Sequence, residues 1–285
     1  MSRARILKRA LLANASFSTA TGLASLIAAP KVAALLGNPE LEAWIFGLGP
    51  ALLGFAAVVA WVATRKTISP RLAFAISLAD FCWVIGSLVL WLVAPTLLAT
   101  TGWIAVAIVA AFVLVFAETQ LFGLALLFRN DGSRGSYRSM LTFERRIDAA
   151  AEKVWPLMSD LEGYHEVAPN IAFSRIVSGE GPDAVRACGD HEGGEWTERI
   201  TEWVEGRRYA MVVATDAKDY PYPFRGLRGE WEVEPRPDGS VMRLRFDFTM
   251  PGGVFGEVLT ATALAPKFTP IVESILDRWE TMAKR

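Results

Sequence analysis

An apolar run long enough to cross a bilayer breaks off after Phe128, and this one break constrains the chain most. Residues 103–128 carry a single ionisable side chain, Glu118. The ten residues that follow (Arg-Asn-Asp-Gly-Ser-Arg-Gly-Ser-Tyr-Arg, 129–138) have no apolar periodicity and hold three arginines and two glycines. Beyond them the chain becomes charge-rich and alternating. A bilayer core is spanned by about 20 apolar helical residues, so the chain divides here into a membrane half and a water-facing half. The expected organisation is a four-helix transmembrane domain over 1–128, a flexible basic linker over 129–139 and a second domain over 140–285.

Three more apolar runs precede the break, at 10–29, 44–63 and 72–93. The first has the basic flank and small-residue ending of a signal peptide. Its Asn14, Ser16, Ser18, Thr19 and Thr21 suit a helix retained against other helices better. Basic residues gather at the N-terminus (Arg3, Arg5, Lys8, Arg9), in the second loop (Arg65, Lys66, Arg71) and after the fourth run, whereas the third loop carries no charge. The positive-inside rule then predicts a multi-pass inner-membrane protein with its N-terminus and its second domain on the cytoplasmic side. Trp44, Trp91 and Trp103 would mark the outer interface.

Two carboxyls break the apolar pattern, Asp80 in the third span and Glu118 in the fourth. Counting in from the cytoplasmic ends puts both roughly 14 Å deep in a core of about 30 Å. An ionised carboxylate is costly there, so each should be protonated, partnered or facing the bundle interior. One reading is a pair that carries a proton or holds a polar ligand group. The favoured reading is packing, through hydrogen bonds to Asn14, Ser77, Thr119 or Gln120, because no lysine or arginine falls inside the spans.

The two halves differ in charge: 1–128 holds 8 Lys/Arg against 4 Asp/Glu, and 129–285 holds 21 against 26. A mildly acidic soluble half excludes a basic nucleic-acid-binding surface as its main feature. The two cysteines, Cys82 and Cys188, form no disulfide framework. The two histidines, His165 and His191, rule out a His-rich metal centre.

From Met140 the hydrophobic period becomes two. Leu141, Phe143 and Ile147 alternate with polar residues, followed by a short helix over 149–159 and a second helix and turn over 160–169. Strands are expected at 171–178 and 184–190, a long hairpin at 195–215 turning at Glu205-Gly206, and two more strands at 226–235 and 241–250. In the last, Met242, Leu244, Phe246, Phe248 and Met250 alternate with Arg243, Arg245, Asp247 and Thr249. A terminal helix over 266–283 has an apolar stripe of Phe268, Ile271, Ile275 and Trp279. An antiparallel sheet with one apolar face needs a cover, and this helix is the one element long enough to supply it.

At this point the residues resemble a known group. Ala150-Ala-Glu-Lys-Val-Trp155 after a first strand, Asp160 with Tyr164 to Pro169, Ala184-Val-Arg-Ala-Cys188, Glu198-Arg-Ile-Thr-Glu202, and Gly229-Glu-Trp-Glu-Val-Glu-Pro235 before Asp238-Gly-Ser are similar to the SRPBCC superfamily. This START-like, helix-grip group includes polyketide cyclases and aromatases, lipid-transfer domains and pollen allergens. The resemblance covers 140–285 and implies an α+β domain, a seven-stranded antiparallel sheet gripping a long C-terminal helix around a hydrophobic ligand cavity. It implies no particular chemistry.

Candidate ligand contacts follow from the alternation. Trp196, Glu198, Ile200 and Met211 come from the hairpin; Trp231, Leu244, Phe246 and Phe248 from the last two strands; Phe268 and Ile271 from the terminal helix. Most such side chains serve packing, and a minority border a cavity in which Glu198, Arg243 or Tyr209 would orient a ligand. Arg243 and Arg245 fall on the opposite face, which singles out Glu198, whose alternative role is to pair with a nearby arginine. For proton transfer the candidates are Glu198, Tyr209 and His191. His191, between Asp190 and Glu192 and before Gly193-Gly194, reads better as part of a solvated turn. Cys188 and His191 supply two of the three or four ligands a zinc ion needs. No phosphate loop or dinucleotide motif occurs, so neither metal nor cofactor is expected.

The expected function is therefore a membrane-anchored, cytoplasmic binder of a hydrophobic small molecule such as a lipid, quinone or polyketide-like compound. The linker would keep the cavity within about 15–20 Å of the bilayer. The alternatives are a cyclase- or aromatase-like enzyme using the same cavity, and a non-catalytic sensor or assembly protein with a protein partner.

Overall fold

The computed structural model describes residues 4–133, 135 and 137–285 and separates into two compact units, residues 1–127 and 128–285. Arg3, Arg134 and Ser136, which entered the charge and linker arguments, lie outside the described residues.

In the first unit α1 (Ala4–Ile27) leads into α2 (Ala29–Leu36), then α3 (Glu42–Thr64), α4 (Pro70–Val93) and α5 (Thr100–Leu126). Four of its helical stretches are long and apolar enough to cross a membrane: Ala4–Ile27, Pro39–Thr64, Pro70–Val93 and Thr100–Leu126. The short α2 occupies what the sequence offered as a loop; it starts with Pro30 in its first turn and stops at Gly37, whose φ of 76° closes the helix. Helix α1 packs against both α3 and α5, and α4 packs on α5. Glycines permit the closest approaches. A Cβ on Gly123 of α5 would stand 2.8 Å from the Leu7 Cα of α1.

The two carboxyls of the long apolar helices part company. Asp80 is buried, and its Oδ2 accepts from Asn14 Nδ2 at 2.7 Å and from Gln120 Nε2 at 3.1 Å. Ser18 donates to Asn14 Oδ1 and Ser77 to Gln120 Oε1, so three helices are tied by one polar cluster. Glu118 does not face the interior of this unit. It is exposed, and Thr119 beside it bonds back to the Val115 carbonyl. The 3.6-residue period puts Glu118 about 160° around the helix from the inward-facing Gln120, counting 100° per residue.

The second unit is an α+β helix-grip fold. Strand β1 (Ser139–Ile147) is followed by α6 (Ala151–Met158), α7 (Tyr164–Val167), then β2 (Phe173–Ser178), β3 (Val185–Gly189), β4 (Glu195–Val204), β5 (Arg208–Val213), β6 (Leu227–Arg236) and β7 (Gly239–Phe248). The chain closes with α8 (Val254–Leu259), a π-turn (Thr260–Leu264) and α9 (Ala265–Ala283). The seven strands form one antiparallel sheet in the order β1-β7-β6-β5-β4-β3-β2. Register shifts in β2 and β4 bend it. Helix α9 lies on the concave face, burying Val272, Ile275, Leu276 and Trp279.

The stretch 129–139, expected as a flexible linker, has described residues that are hydrogen-bonded within this unit. Asn130 N donates to the Arg138 carbonyl at 2.8 Å, and Met140 N to that of Phe128 at 2.7 Å, which lays residues 128–130 along the start of β1. Asn130 Nδ2 reaches Asp247 Oδ1 at 2.7 Å and Arg245 pairs with Asp131 at 2.9 Å. Asp247, on the outward side of β7, is fully buried as a result. Asn130 and Asp131, in a stretch without apolar periodicity, are held by partners more than a hundred residues away.

Candidate functional site

Between the sheet and α9 lies a cavity of about 420 Å³, walled by side chains of β1, β3 to β7, α7, α9 and the loop between β5 and β6. Alternation on the strands delivers Trp196 and Glu198 of β4, Met211 of β5, Trp231 of β6 and Phe246 and Phe248 of β7 to this wall. Phe268 and Ile271 of α9 face them. Eight of the ten candidate ligand contacts thus meet around one space. Ile200 and Leu244 share the face but are fully buried in the packing and do not line it. The aromatic wall is interlocked: Trp231 stacks on Tyr209 at 5.2 Å, and Phe246 meets Phe268 edge-on at 4.9 Å.

The polar feature of this wall is an ion pair. Arg186 of β3, 1% exposed, donates from Nε to Glu198 Oε2 at 2.7 Å. A second guanidinium nitrogen donates to the Leu161 carbonyl at 3.2 Å, and the group sits 4.7 Å from the centre of the Tyr164 ring. The other Glu198 oxygen accepts from Trp196 Nε1 at 2.8 Å. The alternative role foreseen for Glu198, a partner for an arginine, is the one the geometry gives it. Arg186 itself was missed. The signal was present, since Ala184, Arg186 and Cys188 share one parity and the outer two are small or apolar.

Other polar groups border the space. Tyr220 lines it, and its buried hydroxyl has no hydrogen-bond partner among the described residues. Burial, helped by the Glu198 charge, raises the Tyr220 pKa, so the hydroxyl keeps its proton and stays a donor. Asn170 Nδ2 meets the Tyr222 hydroxyl at 3.4 Å. Lys267 and Pro223 are exposed lining residues where the cavity reaches solvent.

The side chains named for proton transfer are otherwise engaged. Tyr209 is fully buried outside the lining and donates to the Met158 carbonyl at 3.1 Å. His191 is exposed in the turn that Asp190 organises by accepting from Glu192 N and Gly194 N, and it does not line the cavity. Arg243 lies on the outer face, paired with Glu144 and Glu232. The Cys188 thiol is pushed up to about 12 by burial and by the Glu198 charge, so it is held as the neutral thiol. Among the described residues no group of three or more His, Cys, Asp or Glu is placed to hold a metal ion.

The family model described as polyketide cyclase / dehydrase and lipid transport matches residues 140–283. The chain belongs to that family. Solved structures similar to this family domain include a START superfamily protein from Mycobacterium smegmatis, 17% identical, covering 50% of this chain and 98% of that one at a TM-score of 0.41. The ZhuI aromatase/cyclase from Streptomyces sp. R1128 is 17% identical over 50% and 93% at 0.40. Ginseng major latex-like protein 151 from Panax ginseng is 12% identical over 51% and 97% at 0.42. Comparison with curated proteins returns no match.

Proposed function

We propose that this is a membrane-anchored protein whose cytoplasmic C-terminal domain binds a hydrophobic small molecule of the lipid, quinone or polyketide-like class. The observation that carries the reading is the aromatic cavity of about 420 Å³ between sheet and α9. An apolar space of that size with a few fixed polar groups is the usual form of a small-molecule site. The Tyr220 hydroxyl offers one unused donor to it, which suits an apolar body bearing an oxygen acceptor. The four apolar helices support an anchor in the bilayer, where such molecules concentrate, and the basic loops support a cytoplasmic C-terminus.

The test is to purify the full chain from native membranes, extract it with organic solvent and identify retained compounds by mass spectrometry. The expected result is an apolar, oxygen-bearing molecule retained in near-stoichiometric amount, and less of it in the Tyr220→Phe variant. Losing one hydrogen bond to a neutral acceptor corresponds to a roughly five- to tenfold weaker Kd. A wild-type protein that retains nothing apolar, and takes up nothing apolar when offered it in vesicles, would defeat the reading. A reporter fused at the C-terminus tests the topology, which fails if the reporter is found outside the cytoplasm.

A further inference from the structure

Helix α5 presents a stripe that nothing in its own unit covers. Ile104, Ile108, Val115 and Phe122 are each about half exposed, and Ala111 and Glu118 are exposed between them. Their spacing runs four, three, four, three, four residues, which places them on one side of the helix, within a wider exposed face that also holds Ala107 and Phe112. Glu118 stands eight residues before Leu126, about 12 Å inside the end of the helix at 1.5 Å per residue. That depth falls within a hydrocarbon core of about 30 Å, too far for a glutamate to reach headgroups. Among the described residues no hydrogen bond or ion pair reaches it, whereas Asp80 has Asn14 and Gln120.

A carboxyl at that depth demands a partner, and its absence within the unit places the partner outside it. We propose that the outer face of α5 is a homodimer seam in which the Glu118 carboxyls of two copies hydrogen-bond each other across a two-fold axis along the membrane normal. Three features select a second copy over a foreign helix. Copies inserted with the same orientation hold Glu118 at the same depth without further design. A two-fold axis beside a heptad-spaced stripe sets each seam residue against its own counterpart, so Glu118 faces Glu118. A neutral carboxyl has one donor and free acceptor capacity, which makes it complementary to itself. The stripe contains no cation, so this pairing does not compete with an ion pair. Ala111, about one turn before Val115 and two before Glu118, allows the two backbones to approach.

Cysteine cross-linking of the full chain in native membranes tests this, in a Cys82→Ser background with the buried Cys188 left in place. Val115→Cys and Phe122→Cys on the stripe should give oxidised dimers of twice the chain mass, and Leu88→Cys, equally exposed on α4, should not. Glu118→Leu should lower the Val115→Cys cross-linking about tenfold, the loss of one interhelical hydrogen-bonded pair. Glu118→Gln, whose amide is also self-complementary, should keep most of it. Helix content and the elution volume of the monomer establish that the Glu118→Leu chain is folded. The proposal is overturned by absent dimer at 115 and 122, by equal dimer at 88, by cross-linking indifferent to Glu118→Leu, or by adducts with a different protein in place of the dimer. None of these readouts depends on the cavity or its ligand.

Discussion

Replacing Glu198 by leucine should be among the most damaging single changes available in the soluble unit, and the geometry says by how much. Arg186 is 1% exposed and its ionic partner is Glu198, at 2.7 Å. In Glu198→Leu the guanidinium keeps only the Leu161 carbonyl, the Met211 sulfur and the Tyr164 ring, none of which carries charge. Breaking a buried pair on one side costs about 3–5 kcal/mol, because the remaining charge is stranded away from water. With a urea m-value of about 2 kcal/mol/M for a domain of this size, the midpoint falls by about 1.5–2.5 M. Urea titration of the full chain in detergent, followed by near-UV circular dichroism of the soluble-unit aromatics, reads this shift. The double variant Arg186→Met/Glu198→Leu removes both charges and should return to within about 1 kcal/mol of the parent. A Glu198→Leu loss below about 1 kcal/mol, or a double variant no better than the single, would refute the claim that these two groups neutralise each other in a water-excluded wall.

Two further outcomes follow from the same coordinates. The Cys188 thiol keeps its proton up to about 12 in the folded chain against 9.0 when unfolded, so between those values the unfolded state binds fewer protons and stability falls as pH rises. The urea midpoint should therefore drop between about pH 8 and about pH 9, before the unfolded-state tyrosines titrate, and Cys188→Ala should lessen that drop; an unchanged slope in the variant contradicts the assignment. In the membrane unit, Asp80→Leu strands the amide donors of Asn14 and Gln120, at about 1–3 kcal/mol each, while Asp80→Asn leaves them an acceptor. Thermal unfolding in detergent should rank the variants parent, Asn, Leu, and equal midpoints for Asn and Leu would rule out the polar cluster as a structural tie.

Periodicity made most of the soluble unit legible. The alternation of Met242, Leu244, Phe246 and Phe248 survives as the buried face of β7; of the expected α9 stripe Ile275 and Trp279 are buried, beside Val272 and Leu276, while Phe268 and Ile271 are half-buried at the cavity. Six of the eight candidate contacts on strands line the cavity because one parity per strand defines one face of a sheet. Parity does not say how far along that face the cavity extends. Ile200 and Leu244 have the right side and the wrong depth, and both are packed solid. Arg186 was hidden by its chemistry: an arginine on an apolar parity reads as an exception until its counter-charge, twelve residues on across a strand pair, is seen opposite it. The register couples Arg186 to Glu198 directly, and register is a property of two strands that neither sequence contains alone.

Asp80 and Glu118 show the same limit in helices. Each is one carboxyl in an apolar span at similar depth, and nothing local separates them. What separates them is azimuth: Asp80 falls on the side of α4 that meets Gln120 and Asn14, whereas Glu118 falls on the side of α5 away from both α1 and α4. Which side is inward depends on which helices are neighbours, and α1 is flanked by α3 and α5, an order that the succession of spans does not dictate. A span that is apolar on all sides carries no period that sets one face apart, so the sequence leaves open which side of α5 is covered. The unit's own contacts, which lie elsewhere on α5, are what leave the side bearing Glu118 uncovered.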